Sequence, residues 1–232
     1  VVLVKYRGSI GFGQQSVDSL PGRIGSNDME DIIQVVKMMQ TSSVMQIPIV
    51  ERLNFNRMFI VGGSHGGFLA ATAIGTYPDM FRAAALRNPV TNIPTMYTVS
   101  DIPDWCITES LGTKKCIKGT TRTYDFESFR GASDEEVAGM FEKSPIQHVH
   151  RVKTPALLLL GAKDRRVPMC QGLEYYHGVK ALVKNESEGR TDPVPTKCMV
   201  FPEDTHAIDS PASSVAHWNA VREWFLQYDK TD

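Results

Sequence analysis

Charge of one sign in excess is missing from this chain, and so is any long charge run. Its 25 Lys and Arg stand against 26 Asp and Glu, a net charge of −1. Nucleic acids and anionic membranes attract through clustered cations, so neither is expected as a partner. Long apolar runs are also missing. Stretches such as Ala156–Leu160 are strand-sized, whereas a bilayer-spanning helix needs about 20 apolar residues. No signal-peptide pattern is present. Cysteine is scarce: Cys106, Cys116, Cys170 and Cys198 are scattered, without the paired ligand spacing of a metal site. They read as free thiols of a reducing compartment, with a Cys106–Cys116 bridge left open as the alternative. The glycines of Tyr6-Arg7-Gly8-Ser9-Ile10-Gly11-Phe12-Gly13 lack dinucleotide-fingerprint spacing, and no helix is expected to open directly on them. Neither a metal nor an organic cofactor is therefore expected. Internal repeats and low-complexity segments are absent as well.

What is present fits one α/β domain over residues 1–232. A hydrophobic content of 42% is that of an ordinary globular protein, and a domain of this length buries roughly 70–75% of its unfolded surface. Val1–Lys5 reads as a strand buried on both faces because its apolar residues are continuous. A chain seldom begins inside its core, so the sequence is expected to be an N-terminally truncated fragment or a processed product. Ser26-Asn27-Asp28 offers an N-cap for a helix over Met29–Met39. Thr41–Asn56 reads as a connection broken by Pro48. Met58–Val61 is a strand, Phe68–Thr76 a helix, Ala83–Leu86 a strand.

That alternation implies a mostly parallel, doubly wound sheet with helices on both faces. Val90–Gln147 interrupts it with short helices, among them Ser133–Lys143, and a polar stretch from Gly112 to Gly131. A fourth strand, Ala156–Leu160, follows. Then come a helix from about Pro168 to Val183, a surface loop over Lys184–Pro195, a fifth strand Lys197–Phe201, and a last helix from Ser210-Pro211. In that helix Val215, Trp218, Val221, Trp224 and Phe225 are expected on one side.

The chain is organised around Gly62-Gly63-Ser64-His65-Gly66-Gly67. Strand, Gly-x-Ser-x-Gly turn and helix make up a nucleophile elbow, the signature of the α/β-hydrolase fold. The serine sits on a strained turn, and glycines leave room where the helix passes back over the strand. The amide of His65, at the helix N-terminus, is the expected oxyanion donor.

A serine hydroxyl needs a neutral imidazole to take its proton, and the imidazole needs a carboxylate to fix its tautomer. In this fold the order is Ser, then Asp or Glu, then His, at the C-terminal ends of strands. Among six histidines, only His206 follows a late strand by a short turn. His65 is bonded into the elbow. His148 and His150 precede any suitable acid. His177 and His217 fall in helices. For the acid, Asp164 follows the fourth strand through Gly161-Ala162-Lys163, with Asp204 the runner-up, too near His206 to reach its Nδ1. Ser64, Asp164 and His206 are thus the expected catalytic residues. The triad alone does not separate a peptidase from a carboxylesterase, and a partner-binding or inactive fragment is a third reading.

Tyr6-Arg7-Gly8-Ser9 with Gly11-Phe12-Gly13, the elbow, and Asp164-Arg165-Arg166-Val167-Pro168 resemble the catalytic domain of the prolyl oligopeptidase family. Within it, Arg87-Asn88-Pro89-Val90, Asn92-Ile93 and Asp101-Ile102-Pro103-Asp104-Trp105-Cys106 are similar to the acylaminoacyl-peptidase branch. The resemblance implies a cytosolic serine exopeptidase that releases an N-acylated, typically N-acetylated, residue from a short peptide. It assigns Ser64, Asp164 and His206 the same roles. It also implies homo-oligomers and an N-terminal β-propeller, which this sequence lacks. A His-Gly-Gly-Pro-type loop carrying a second oxyanion donor is absent as well, and losing one donor costs about 10²–10³ in turnover.

Overall fold

The computed structural model describes residues 1–41, 53–112, 131–182 and 192–229. The expected connection around Pro48, most of Gly112–Gly131, most of Lys184–Pro195, and Cys116 lie outside the described residues. Two compact units divide the chain: Val1–Asn56 with Asp104–Lys143, and Arg57–Pro103 with Ser144–Asp232.

The first unit holds α1 (Gln14–Asp18), α2 (Asn27–Gln40), α5 (Pro103–Leu111) and α6 (Asp134–Glu142). Val1–Lys5 is not a strand. It pairs with nothing in a sheet, and Val1, Val2 and Leu3 are exposed. An apolar run becomes a strand only where a neighbour takes up its backbone groups. The glycine-rich segment after it is a loop, as expected. Gly8, Gly11 and Gly13 sit at φ +101°, +92° and +87°, and Arg7 Nε donates to both carboxylate oxygens of Asp31 at 3.0 Å. Contrary to expectation, a one-turn helix, α1, does open directly on Gly13. α2 forms where its apolar spacing predicts and buries Met29, Ile33 and Val36. Ser26 does not cap it with its side chain; the hydroxyl donates back to the Arg23 carbonyl at 2.6 Å. α6 starts with a reciprocal capping box: Ser133 Oγ accepts from the Glu136 amide, and Glu136 Oε2 accepts from the Ser133 amide.

The second unit is the sheet. β1 (Phe59–Gly63), β2 (Ala83–Arg87), β3 (Ala156–Gly161) and β4 (Thr196–Phe201) run parallel in the order 1-2-3-4. The register aligns Phe59 with Ala83, Ala85 with Leu157, and Leu157 with Lys197. Side chains alternate across a strand, so Ala83, Ala85, Leu157, Leu159, Met199 and Phe201 share one face. They pack with Val221 and Trp224 of α8 (Pro211–Gln227). The other face takes α3 (His65–Thr76) and α7 (Cys170–Lys180). Helices thus cover both faces, and β3 is buried from end to end. α3 is apolar all round because it is buried all round, between the sheet and a 3₁₀ helix, Pro145–Arg151. α4 (Ile93–Val99) follows β2.

One expected face is wrong. On α8 the inward residues are His217, Val221 and Trp224, whereas Val215 and Trp218 are exposed. No helix among the described residues is long and apolar enough to cross a membrane.

Candidate active site

Parallel strands bring their C-terminal ends to one edge, and the three predicted residues all leave the sheet there, within one unit. Ser64 follows β1 at once. Its φ of +57° and ψ of −121° make it one of three non-glycine residues with positive φ among those described. An L side chain at that angle stores strain of about 1–3 kcal/mol, a cost found at functional sites. The elbow is held by two backbone bonds: the Ser64 amide donates to the Arg87 carbonyl of β2, and the Ser64 carbonyl accepts from Phe68, both at 2.9 Å. The turn leaves no room for a side chain at position 62, where a Cβ would lie 2.0 Å from the Gly66 carbonyl oxygen.

Asp164 follows β3 in a tight turn, its side chain inaccessible to solvent. One carboxylate oxygen, Oδ1, accepts the amides of Arg166 at 2.9 Å and Val167 at 3.0 Å. The other, Oδ2, meets His206 Nδ1 at 2.7 Å. An ionised carboxylate only accepts, so Nδ1 carries the proton in this contact. His206 Nε2 is thereby left as the lone-pair nitrogen. His206 lies past β4 and its side chain is 31% exposed, open enough for proton exchange with a bound group.

His65 opens α3, and its ring stacks on Phe68 with centroids 5.4 Å apart. Its amide is the first of the helix, the place where amides and the helix dipole favour developing negative charge. Asp204 is occupied elsewhere. It accepts the Ser213 hydroxyl at 2.5 Å and the Ser210 amide at 3.2 Å, and the Ser213 hydroxyl chiefly, with Ser210, holds its carboxyl below the ordinary value. It therefore fastens the first turn of α8. His148 and His150 lie in the 3₁₀ helix and His177 in α7. Arg166 pairs with Asp101 at 3.1 Å, holding the loop after Asp164. Two residues went unread as site residues: Arg87 and Asn88, at the C-terminal end of β2. Their position between the strands that lead to Ser64 and Asp164 is the one signal that could have raised them. No group of three or more His, Cys, Asp or Glu among the described residues could hold a metal ion.

The sequence profile described as "Prolyl oligopeptidase family" matches residues 1–231. The chain belongs to the prolyl oligopeptidase family. It is 42% identical over 208 residues to the mouse acylamino-acid-releasing enzyme, covering 90% of this chain and 24% of that protein. To the human acylamino-acid-releasing enzyme it is 39% identical over 222 residues, 95% of this chain and 26% of the relative. The chain thus spans about a quarter of the length of these curated relatives. Among solved structures it resembles an acylaminoacyl peptidase of Pyrococcus horikoshii, with a TM-score of 0.72, 23% identity, and coverage of 95% of this chain and 30% of the other. An acylaminoacyl peptidase in complex with Z-Gly-Gly-Phe-chloromethyl ketone aligns with a TM-score of 0.73 at 22% identity, over 98% of this chain and 32% of the other. The fold of this prolyl oligopeptidase family chain is the α/β-hydrolase fold.

Proposed function

We propose that this chain carries the catalytic centre of a serine exopeptidase that hydrolyses short N-acylated peptides and releases the N-acylated amino acid. The observation that carries the reading is the 2.7 Å contact between His206 Nδ1 and Asp164 Oδ2, reached from a strained Ser64 elbow on the same sheet edge. With Nδ1–H engaged, Nε2 takes the Ser64 hydroxyl proton as Oγ attacks the acylated residue's carbonyl carbon. The imidazolium that results is stabilised by Asp164, whose carboxylate is oriented by the Arg166 and Val167 amides. The His65 amide receives the oxyanion. Collapse of the tetrahedral species breaks the C–N bond, and His206 returns the proton to the leaving amine. Water then repeats the sequence on the acyl-enzyme and releases the acyl amino acid.

The choice of acylated peptides over other acyl donors is supported by the 35–42% identity to acylamino-acid-releasing enzymes across most of this chain. Action in the cytoplasm is supported by the free thiols Cys106, Cys170 and Cys198. The test compares acetyl-alanyl p-nitroanilide with alanyl p-nitroanilide and a short-chain nitrophenyl ester. The acetylated amide should be cleaved fastest of the two amides, with turnover lost in Ser64→Ala. Rapid hydrolysis of the ester with no cleavage of any acylated amide would reassign the chain to the carboxylesterases.

A further inference from the structure

The histidine that the mechanism depends on sits on a loop with little helix or sheet support of its own. After β4 the chain turns through Pro202–Asp209 before α8, and Ile208 within it has φ +48°. For a β-branched residue that is a strained conformation, so bonds from outside must hold the loop. One side is held by the Ile208 side chain, fully buried in the α8 core. The other side is held by the end of β2. Asn88 Nδ2 donates to the His206 carbonyl at 2.9 Å and to the Thr205 carbonyl at 3.5 Å. Arg87 Nη1 donates to the Ala207 carbonyl at 3.0 Å.

Asn88 reaches the acid's side of the site as well. Its Oδ1 accepts the Gly161 amide at 2.8 Å, where β3 turns toward Asp164. Its own amide donates to the Leu159 carbonyl at 2.9 Å, and its chain neighbour Arg87 supplies the carbonyl that receives the Ser64 amide. The His206 loop comes so close to this turn that a Cβ on Gly161 would lie 2.4 Å from the Thr205 carbonyl oxygen.

We propose that Asn88 is a positioning residue for the reaction: one buried carboxamide sets the spacing between the turn that carries Asp164 and the loop that carries His206. The inference rests on the Ser64–Asp164–His206 reading and adds a residue to it. The chemistry requires asparagine. An amide N–H can only donate and a carbonyl only accept, so the bridging group must accept on one side and donate on the other within a single short plane. Aspartate loses the donor, and leucine, of similar size, loses both. Asparagine also tolerates the backbone found here, φ +39°. Asn88 is 1% exposed, so the bridge works away from competing water.

Two variants of the full chain test this. Asn88→Gly accepts the positive φ without strain and removes the bridge. Asn88→Asp keeps the shape and the acceptor but cannot donate to the His206 carbonyl. Both should fold, and both should react with a fluorophosphonate probe about 10²-fold more slowly per folded molecule, the scale of loss for a misplaced catalytic group, with the probe's apparent affinity unchanged. In Asn88→Gly the NMR resonance of the His206 Nδ1 proton, which faces Asp164 Oδ2 at 2.7 Å, should also move upfield and broaden, because a loosened hydrogen bond lets that proton exchange with water. A merely structural role would lower the melting temperature and the amount of labelled protein, but move neither the rate constant nor the resonance. Unchanged labelling rates and an unchanged His206 Nδ1 proton resonance in folded variants would overturn the proposal. If the unsubstituted chain took no label, the nucleophile assignment would fail instead, and the Nδ1 proton resonance, which needs no turnover, would still decide the role of Asn88.

Discussion

Asp164 has the most demanding position of the three catalytic candidates, because both of its oxygens are committed. Asp164→Asn keeps the shape and lets the amide oxygen go on accepting the Arg166 and Val167 amides. Its NH₂ group, however, would face His206 Nδ1 and force the proton onto Nε2, where it blocks the base. We expect turnover to fall about 10⁴-fold while the melting temperature shifts little, as measured by steady-state kinetics beside thermal unfolding. A loss below tenfold would mean that Asp164 does not set the tautomer. At this scale much of the candidate site is legible in the sequence. Ser64, Asp164 and His206 each follow a strand by a short turn, and strand-end position is a one-dimensional signal. Arg87 and Asn88 could not be read the same way. What they do depends on β2 lying between β1 and β3, a fact of neighbourhood in space. Asp204, the runner-up set aside for lying too near His206, has its carboxylate taken by Ser210 and Ser213.

At the scale of elements, α8 is the instructive case. Val215 and Trp218 are expected on one side with Val221 and Trp224, yet the helix turns His217 inward with Val221 and Trp224. Hydrophobicity alone ranks Trp above His, but the edge contact of the His217 ring with Phe201 of β4 and the Ser213–Asp204 bond fix the rotation. The result is a buried imidazole whose Nδ1 lies 3.2 Å from the Ser213 carbonyl. Burial chiefly lowers its pKa from the ordinary 6.5, with Arg87 adding to the fall and the Ser213 carbonyl and Asp204 opposing it. The native state therefore binds this proton less readily than the unfolded chain. Stability is retained above pH 6.5 and falls as pH drops below that value, until the folded-state group also protonates. Chemical denaturation between about pH 7 and pH 5 should show a shallower loss in His217→Leu than in the unsubstituted chain. Parallel curves would remove His217 from the acid limb. The first five residues carry the complementary lesson, since an apolar run with no strand beside it stays exposed.

For the whole molecule, the strand–helix alternation was enough to predict a parallel sheet covered on both faces, and β1 through β4 with α3, α7 and α8 follow it closely. The division into two units was not readable, because one of them is assembled from Val1–Asn56 and Asp104–Lys143, segments separated by two strands. Periodicity reports which face of an element is apolar, not which distant element will cover it. Every catalytic candidate nevertheless falls in the single unit that contains the sheet. Whether Ser64 is an activated nucleophile at the edge of that sheet is tested most directly by mass-spectrometric location of a fluorophosphonate adduct on the full chain. One adduct per folded molecule is expected, on Ser64, and none in Ser64→Ala. A folded chain that takes no label, or one whose label persists in Ser64→Ala, would contradict that expectation.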